Sequence, residues 1–217
     1  MTGLQGMTVS VLGGTGPQGR GLARRFAAAG LDVVLGSRDA ARAGATAADL
    51  PGRVRGMSNA DAAAAGAIVV VAVPWDGHAA LLKELAPVLA GKIVVDCVNP
   101  LGFDQQGAYA LTVEEGSATQ QAAAILAWST VVGAFHNVSA VHLDDPERST
   151  VDTDVLVLGD DRAATDLVQE LAGTIPGVRG LYGGRLRNAH QVEALTANLI
   201  SVNRRYKAHA GLRITDI

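Results

Sequence analysis

A glycine-rich loop between an apolar strand and a helix constrains the fold of this chain more than any other stretch. The β-rich run Thr8–Leu12 leads directly into a loop with the sequence Gly13-Gly14-Thr15-Gly16-Pro17-Gln18-Gly19. Within it, Gly14, Gly16 and Gly19 satisfy the pattern G-x-G-x-x-G. Such glycines serve a tight turn, the close approach of the backbone to a pyrophosphate, and the close packing of helix on strand. The loop therefore predicts a dinucleotide site.

The segments around the loop supply the context that this pattern needs. The sequence predicts a helix from about Gln18 to Ala29 and a second strand over Asp32–Gly36. The free N–H groups and the positive dipole end of that helix face the loop, so an anion is expected there. The alternative is a glycine turn in an ordinary α/β domain that binds nothing. Because strand, loop, helix and second strand occur together, nucleotide binding is favoured.

The end of the second strand indicates which dinucleotide is bound. An NAD site usually has Asp or Glu here, which accepts hydrogen bonds from the adenosine ribose. This chain has Gly36-Ser37-Arg38 instead. No carboxylate repels a 2′-phosphate at this point, and the Ser37 hydroxyl, the Arg38 guanidinium and the Thr15 hydroxyl can bind it. The alternative is a turn with a solvated arginine, but beside the glycine loop the sequence favours NADP(H).

The composition fits one large domain, or one domain with a small lobe. The 217 residues are 48% hydrophobic and 18% charged, which is sufficient for a packed core. The net charge of −3, without a basic block, argues against nucleic-acid binding. The only cysteine, Cys97, is expected to be a small core residue rather than a nucleophile. With no signal peptide and no apolar run long enough to cross a bilayer, we expect a cytoplasmic protein that does not bind membranes.

The most apolar stretch of the chain predicts the centre of the sheet. Residues Ala67–Val73 show no polar alternation, which is typical of a strand buried on both faces. We therefore predict an α/β fold with a Rossmann-like, doubly wound, mostly parallel sheet. Ligands of such sheets lie beyond the carboxyl ends of the strands, so Val73, Pro74 and Trp75 are candidate cofactor-binding residues. The alternative is a proline turn followed by a packed tryptophan.

Two later strands end in polar residues at the same predicted edge. The strand Lys92–Asp96 leads to Asn99 and Pro100, where a nicotinamide carboxamide or ribose is a plausible neighbour. The strand Thr130–Phe135 is followed by His136, which either contacts a substrate or is a satisfied core residue. Since no second ligand accompanies His136 in the sequence, no metal site is predicted.

The remaining segments define the predicted organisation of the chain. Leu101–Val113 has no clear periodicity and is predicted to be a long loop. A polar, turn-rich segment, Asp144–Thr153, is the predicted boundary between a nucleotide-binding Rossmann domain (1–148) and a small C-terminal α/β lobe (149–217). A final helix from Asn188 to about Lys207 has apolar residues at helical spacing, which are typical of a core or a subunit interface.

Several of these stretches together give the chain a resemblance to a known family. They are the Gly-Gly-Thr-Gly loop, Gly36-Ser37-Arg38, Val73-Pro74-Trp75, Ala134-Phe135-His136-Asn137-Val138, Gly159-Asp160-Asp161 and Glu193-Ala194-Leu195-Thr196. With these residues the chain resembles the NADPH-dependent reductases of the deazaflavin coenzyme F420 over nearly its whole length. The resemblance implies an oxidoreductase that moves a hydride directly between NADP(H) and coenzyme F420, with a C-terminal lobe that completes the deazaflavin cleft. It also implies a homodimer.

The same resemblance implies roles for individual residues. The residues implied for NADP(H) are Gly14, Thr15, Gly16, Pro17, Gln18, Gly19, Ser37, Arg38, Val73, Pro74, Trp75 and Asn99. Those implied for the deazaflavin are Pro100, His136, Val138 and Thr196. No side chain is implied as an acid–base catalyst, and His136 is assigned a positioning role. Family members often carry an arginine near the start of the last helix, where this chain has His190. This difference affects the contact made there and the hold on the coenzyme's acidic tail.

Two other functions stay open at this point. The same site can reduce another acceptor, such as a flavin, a ferric complex or an imine. A non-catalytic NADP-sensing module is also compatible with a Rossmann fold. The open end of the sheet and a C-terminal lobe placed to form a cleft argue against the sensor. The absence of a Tyr-x-x-x-Lys pair argues against a typical alcohol dehydrogenase.

Overall fold

Short runs rich in β-branched and leucine residues form the central strands of the computed structural model, which describes residues 3–217. The strands are β1 (Thr8–Leu12), β2 (Asp32–Ser37), β3 (Val54–Ser58), β4 (Ile68–Val71), β5 (Ile93–Asp96), β6 (Leu101–Asp104), β7 (Gly107–Ala110), β8 (Thr130–Gly133), β9 (Thr153–Gly159) and β10 (Val178–Gly184). The helices are α1 (Pro17–Ala28), α2 (Ala40–Ala48), α3 (Asn59–Ala65), α4 (Trp75–Leu89), α5 (Ala118–Ile125), α6 (Ala140–Asp144), α7 (Arg162–Gly173) and α8 (Ala189–Tyr206).

Eight of the strands form one sheet in the order β10-β9-β8-β5-β4-β1-β2-β3. Neighbouring strands are parallel except β8 and β9, which pair antiparallel. The predicted doubly wound, mostly parallel α/β fold is confirmed. Because β9 and β10 extend the same sheet, the C-terminal segment is joined to the rest through hydrogen bonds to β8. The division at residues 148 and 149 stays a prediction.

The core lies on both faces of this sheet, as the apolar run at its centre predicts. Alternate residues of β4 point to opposite sides, so Ile68 and Val70 belong to one cluster of buried side chains and Val69 and Val71 to the other. Helices α1 and α7 contribute to the first cluster, and helices α3, α4 and α5 to the second. Polar groups of the central strands are therefore accessible only at the strand ends.

The segment Leu101–Val113 is not the loop that the sequence predicts. It contains the antiparallel hairpin β6–β7, with Leu101 paired to Ala110 and Asp104 to Gly107. The Asp104 carboxylate accepts hydrogen bonds from the backbone N–H groups of Gln106 (2.7 Å) and Gly107 (3.1 Å) and so closes the turn. Gly107 has a φ of 126°, which favours glycine. The hairpin follows β5 along the chain, after the short segment that contains Asn99 and Pro100.

Helix α6 is a further element that the sequence analysis did not predict. The buried Arg25 of α1 donates hydrogen bonds to the backbone carbonyls of Leu143 (2.8 Å), His142 (2.6 Å), Asp145 (3.0 Å) and Arg148 (2.7 Å). These bonds satisfy the carbonyl groups at the end of α6. They also tie the segment that follows His136 to the helix of the glycine loop. Among residues 3–217, no helix is both long and apolar enough to cross a membrane.

The C-terminal residues after α8 are held against β9 by one buried carboxylate. Asp154 accepts two hydrogen bonds from the guanidinium of Arg179 (both 2.7 Å) and one from Arg213 (2.7 Å). It also accepts one from the backbone N–H of Ile214 (2.6 Å). The hydrogen bonds from Arg179 hold the pKa of Asp154 below its usual value. The end of the chain is thus fixed at the far edge of the sheet.

Candidate functional site

The glycine loop forms a tight turn at the carboxyl end of β1. Gly13 has a φ of 72°, a conformation that side chains disfavour. The backbone N–H of Gly14 donates to the carbonyl of Gly36 at 2.9 Å, and that of Gly16 donates to the carbonyl of Gly13 at 3.0 Å. The side-chain oxygen of Asn59 accepts a hydrogen bond from the Gly13 N–H at 3.4 Å. The loop is therefore fixed by the strand on one side and by α3 on another.

The three glycines of the motif are required for different reasons. A Cβ on Gly14 would collide with the Leu35 side chain and lie 2.9 Å from the Val11 carbonyl oxygen. A Cβ on Gly19 would lie 2.8 Å from the Gly13 carbonyl oxygen and 2.9 Å from the Gly14 Cα atom. At Gly16 the nearest atom would be the Gly13 carbonyl oxygen, at 3.4 Å. The fold needs glycine at positions 14 and 19, while position 16 has space that only an approaching ligand would fill.

Helix α1 begins at this loop without a side-chain cap. Gly16 is its N-terminal boundary residue, Pro17 is the first helical residue, and no acidic residue lies in the first turn. The N–H groups at the start of a helix have no partner within the helix and favour an anion. Together with the open space at Gly16, this arrangement fits the pyrophosphate of a dinucleotide.

The end of β2 places Ser37 and Arg38 beside the loop. Ser37 is buried, and its hydroxyl oxygen accepts a hydrogen bond from the backbone N–H of Asp39 at 3.2 Å. The Asp39 carboxylate caps α2 by accepting a hydrogen bond from the N–H of Arg42 at 3.1 Å. The Arg38 side chain is exposed and makes no hydrogen bond or ion pair within residues 3–217. A free guanidinium next to a serine hydroxyl fits a phosphate better than a ribose hydroxyl.

Three side chains from different elements converge on the backbone that follows β8. Asn99 and Thr196 both donate hydrogen bonds to the His136 carbonyl oxygen, at 2.9 and 3.1 Å. Gln18 of the glycine loop donates to the neighbouring Phe135 carbonyl oxygen at 3.1 Å. Phe135 itself has a φ of 62°, an uncommon conformation for a large residue that is held by its surroundings. The structure thus brings together Gln18, Asn99, His136 and Thr196.

The His136 ring does not point into an open cleft. The residue is 4% exposed, and its Nε2 atom lies close to Gly133. Both ring nitrogens are enclosed without a hydrogen-bond partner, as is the Asn99 Oδ1 atom. Burial lowers the pKa of His136, although the carboxylates of Glu193 and Asp96 oppose this. The ring is therefore neutral near neutral pH.

The other predicted site residues differ in how exposed they are. Val73 is half-buried and packs at Gly13, while Pro74 is exposed. Trp75 is the first residue of α4, and its ring lies 5.5 Å from that of His78. Val138 is 6% exposed and packs in the core, and Pro100 is buried. Thr15 and Thr196 are half-buried. The exposed side of the site is thus formed mainly by the loop, Pro74 and Thr196.

A buried histidine–aspartate pair at the carboxyl end of β5 was not predicted. His78 Nε2 and Asp96 Oδ2 are 2.6 Å apart, and both side chains are inaccessible to solvent. His78 Nδ1 lies 3.1 Å from Gln121 Oε1, and the Gln121 amide nitrogen donates to the Glu115 carboxylate at 3.1 Å. An acceptor faces each ring nitrogen, which favours the protonated form of His78, in which both nitrogens donate. Its pKa is raised because the Asp96 hydrogen bond and charge outweigh burial.

This pair also supports the turn that carries Asn99. The second oxygen of Asp96 accepts a hydrogen bond from the backbone N–H of Val98 at 3.0 Å. A second unpredicted contact involves the buried Glu193 of α8. Its carboxylate accepts hydrogen bonds from the N–H groups of Ala118 (2.8 Å) and Thr119 (3.0 Å) and so caps α5. The contacts of Glu193 join residues far apart in sequence and follow no local pattern.

Cys97 lies in the core, as predicted. It is 6% exposed, and its thiol donates to the Val71 carbonyl oxygen at 3.0 Å. Burial and the nearby Asp96 charge raise its pKa, so it is not a thiolate nucleophile. Within residues 3–217, no three His, Cys, Asp or Glu side chains are grouped to hold a metal ion.

Comparison with known proteins relates nearly the whole chain to the F420-dependent NADP reductases. The model described as "NADP oxidoreductase coenzyme F420-dependent" matches residues 8–100. The F420-dependent NADP reductase of Methanothermobacter thermautotrophicus is 39% identical over 223 aligned residues, which cover 97% of this chain and 96% of that protein. The F420-dependent NADP reductase of Methanocaldococcus jannaschii is 35% identical, with coverage of 97% and 99%.

A solved structure shares the architecture at similar coverage. It comes from Arthrobacter sp. FB24 and is provisionally identified there as an F420-dependent NADP reductase. It matches with a TM-score of 0.82 at 30% identity and covers 97% of this chain and 100% of that one.

Proposed function

The chain belongs to the family of F420-dependent NADP oxidoreductases, and we propose that it transfers a hydride directly between NADP(H) and the deazaflavin coenzyme F420. One observation carries this proposal. The glycine loop and the backbone after β8 meet at one edge of the sheet, joined by the hydrogen bond from Gln18 to the Phe135 carbonyl. A dinucleotide on the loop, with its nicotinamide at Asn99, and a second ring against Thr196 would therefore be neighbours.

The residues divide into two groups around this junction. The loop residues Gly14, Thr15, Gly16, Pro17, Gln18 and Gly19 would hold the pyrophosphate, with Ser37 and Arg38 on the 2′-phosphate. Val73, Pro74, Trp75 and Asn99 would lie along the nicotinamide half. Pro100, His136, Val138 and Thr196 would form the deazaflavin side. Of these, His136 would act through its carbonyl, which already holds Asn99 and Thr196 in place.

The chemistry then needs alignment rather than an acid–base residue. NADPH and the deazaflavin each supply their own reactive carbon, so the protein has to bring the two rings within hydride reach. The His136 ring is buried and neutral, so its proposed role is positioning rather than proton transfer. The chain contributes a rigid surface for the two rings, in which Asn99 and Thr196 are both hydrogen-bonded to the His136 carbonyl.

We also propose that the chain acts as a homodimer in the cytoplasm. Val202 and Tyr206 are exposed on the last turns of α8 (38% and 74%), on the face opposite to Ile200 and Arg204. Exposed apolar residues in the same helix favour a protein contact. Size-exclusion chromatography with light scattering tests this. A monomeric wild-type chain, or a dimer unaffected by Tyr206→Glu, would contradict the assignment of this face.

The function is tested by mixing the protein with NADPH and oxidised coenzyme F420. The proposal predicts that the visible absorbance of the deazaflavin decreases at the rate at which NADPH is consumed. The same assay is run with a flavin, a ferric complex and a cyclic imine. If one of these compounds oxidises NADPH and the deazaflavin does not, that compound and not coenzyme F420 is the acceptor. Tight NADPH binding without oxidation by any of them would favour a sensor.

A further inference from the structure

The hairpin β6–β7 and the C-terminal half of α8 enclose a groove that the proposed function does not use. Phe103, Gly107 and Ala108 line one side, and Ile200, Arg204 and Arg205 line the other. The cavity has a volume of about 570 Å³, large enough for several atoms of a flexible chain. Its walls are partly apolar and partly cationic.

The groove continues from the proposed deazaflavin side of the site. At the base of the hairpin, the backbone N–H of Leu111 donates to the Pro100 carbonyl at 2.9 Å. On the other wall, Thr196, Ile200 and Arg204 follow one another at intervals of four residues and so lie near one face of α8. At 1.5 Å per residue, Arg204 is about 12 Å from Thr196 along the helix axis. The groove therefore begins at Ile200, one helical turn beyond Thr196, and ends at the arginines.

The charge at the far end is not neutralised within the chain. Arg204 and Arg205 are exposed, and their guanidinium groups form no ion pair within residues 3–217. The acidic side chain on the opposite wall, Asp104, is engaged with the two N–H groups of its own turn. Basic residues in the last turn of a helix also favour the helix dipole, which is the structural alternative for this pair.

We propose that this groove binds the anionic tail of the deazaflavin co-substrate. Coenzyme F420 carries a flexible chain with a phosphodiester and glutamate carboxylates, which Arg204 and Arg205 can bind. Phe103 and Ile200 cover the uncharged part of that chain. This inference rests on the proposed function, because it requires the deazaflavin ring to lie against Thr196. It assigns tail recognition to the end of α8, distant from His190 at its start.

The test compares two deazaflavins with the intact protein. One is full-length coenzyme F420, and the other is its truncated alcohol, which lacks the phosphate and the glutamates. In wild type, the full coenzyme should bind more tightly than the truncated one, and its KM should rise with salt because exposed charges are screened. In R204A/R205A, the KM for the full coenzyme should rise about tenfold, the sum expected from two exposed ion pairs. The KM for the truncated compound, the KM for NADPH and kcat should not change.

Arg55→Ala provides the matched control. Arg55 is an exposed arginine of β3, at the opposite edge of the sheet, and makes no ion pair within the described residues. It should leave both KM values unchanged. Equal effects of R204A/R205A on the two deazaflavins, or an equal effect of Arg55→Ala, would overturn the groove assignment.

Calorimetric binding of the oxidised full coenzyme separates this inference from the proposed function. If binding depends on Arg204 and Arg205 but NADPH is not oxidised, the groove binds the tail and the proposed reductase function is wrong. If wild type turns over both deazaflavins with the same KM, the reductase function holds and tail binding in the groove is wrong. Thermal unfolding of each variant checks that the fold is intact.

Discussion

Replacing Gly16 by valine should abolish NADP(H) binding and leave the protein folded. The structure separates these two effects because a Cβ at Gly16 meets only the Gly13 carbonyl oxygen, at 3.4 Å, an acceptable contact. The backbone at Gly16, with φ of −80° and ψ of 161°, also accepts a branched side chain. The valine methyl groups would instead occupy the space at the start of α1 where a pyrophosphate must approach.

The magnitudes follow from these contacts. Valine is a poorer residue than glycine at a helix N-terminus, which costs up to about 1 kcal/mol. Loss of glycine restricts the unfolded chain and offsets this by about 0.4–1 kcal/mol. The free energy of unfolding should therefore change by less than about 1 kcal/mol. The dissociation constant for NADPH should rise at least a hundredfold, which corresponds to about 2.8 kcal/mol.

Gly19→Val is the matched control, the same substitution in the same loop. Its Cβ would lie 2.8 Å from the Gly13 carbonyl oxygen and 2.9 Å from the Gly14 Cα atom, which are backbone atoms that cannot move aside easily. Overpacking of this kind costs about 1–3 kcal/mol or more, so this variant should lose stability as well as binding. Chemical denaturation measures stability, and NADPH fluorescence titration measures binding. Wild-type NADPH affinity in Gly16→Val would refute the placement of the site.

The remaining predictions concern three side chains. Arg38→Ala should weaken NADP binding by about 1.5–3 kcal/mol, as for a hydrogen bond to a charged group, with little change for NAD; an equal loss for both in calorimetry would show that Arg38 supports the loop instead. His136→Ala keeps the carbonyl that binds Asn99 and Thr196 but leaves a cavity in place of the buried ring, so kcat should fall by about tenfold without loss of a limb of the pH–rate profile, whereas a loss of a thousandfold together with such a limb would identify a general acid. The protonated His78 beside Asp96 should stabilise the fold fully below its unfolded pKa of about 6.5, and this contribution should be lost as pH rises through its raised folded pKa. The difference in unfolding free energy between wild type and His78→Gln, measured against pH, should therefore shrink above pH 6.5; a difference that grows with pH would contradict the charged state of His78.

The parts of the fold that follow local patterns were predictable from the sequence. Three local patterns predicted the fold class and the edge of the sheet at which the site lies. They are the glycine motif, the apolar run of β4, and the polar residues after β5 and β8. The rule that ligands lie beyond the carboxyl ends of parallel strands then placed Asn99 and His136 near the loop. The structure brings these residues together through the His136 carbonyl oxygen, a backbone group whose role no side-chain pattern shows.

The parts that the sequence did not predict depend on contacts between distant residues. Phe135, which precedes His136, has a positive φ, and its ring packs edge-to-face against Phe26 of α1; no local sequence pattern indicates this conformation. His78 and Asp96 are separated by 18 residues, and Glu193 and Ala118 by 75, so neither pair belongs to one local motif. The hairpin β6–β7 was predicted to be a loop because its turn is closed by Asp104, without a typical two-residue glycine turn.

Direct transfer of the hydride is the central claim, and isotope labelling tests it most directly. NADPH carrying deuterium at one of the two transferable positions of the nicotinamide is mixed with oxidised coenzyme F420 and the protein in ordinary water. The reduced deazaflavin is then examined by mass spectrometry and proton NMR. The account predicts one deuterium on the hydride-accepting carbon from one labelled form of NADPH and none from the other. A reduced deazaflavin whose new hydrogen at that carbon comes from water would contradict it.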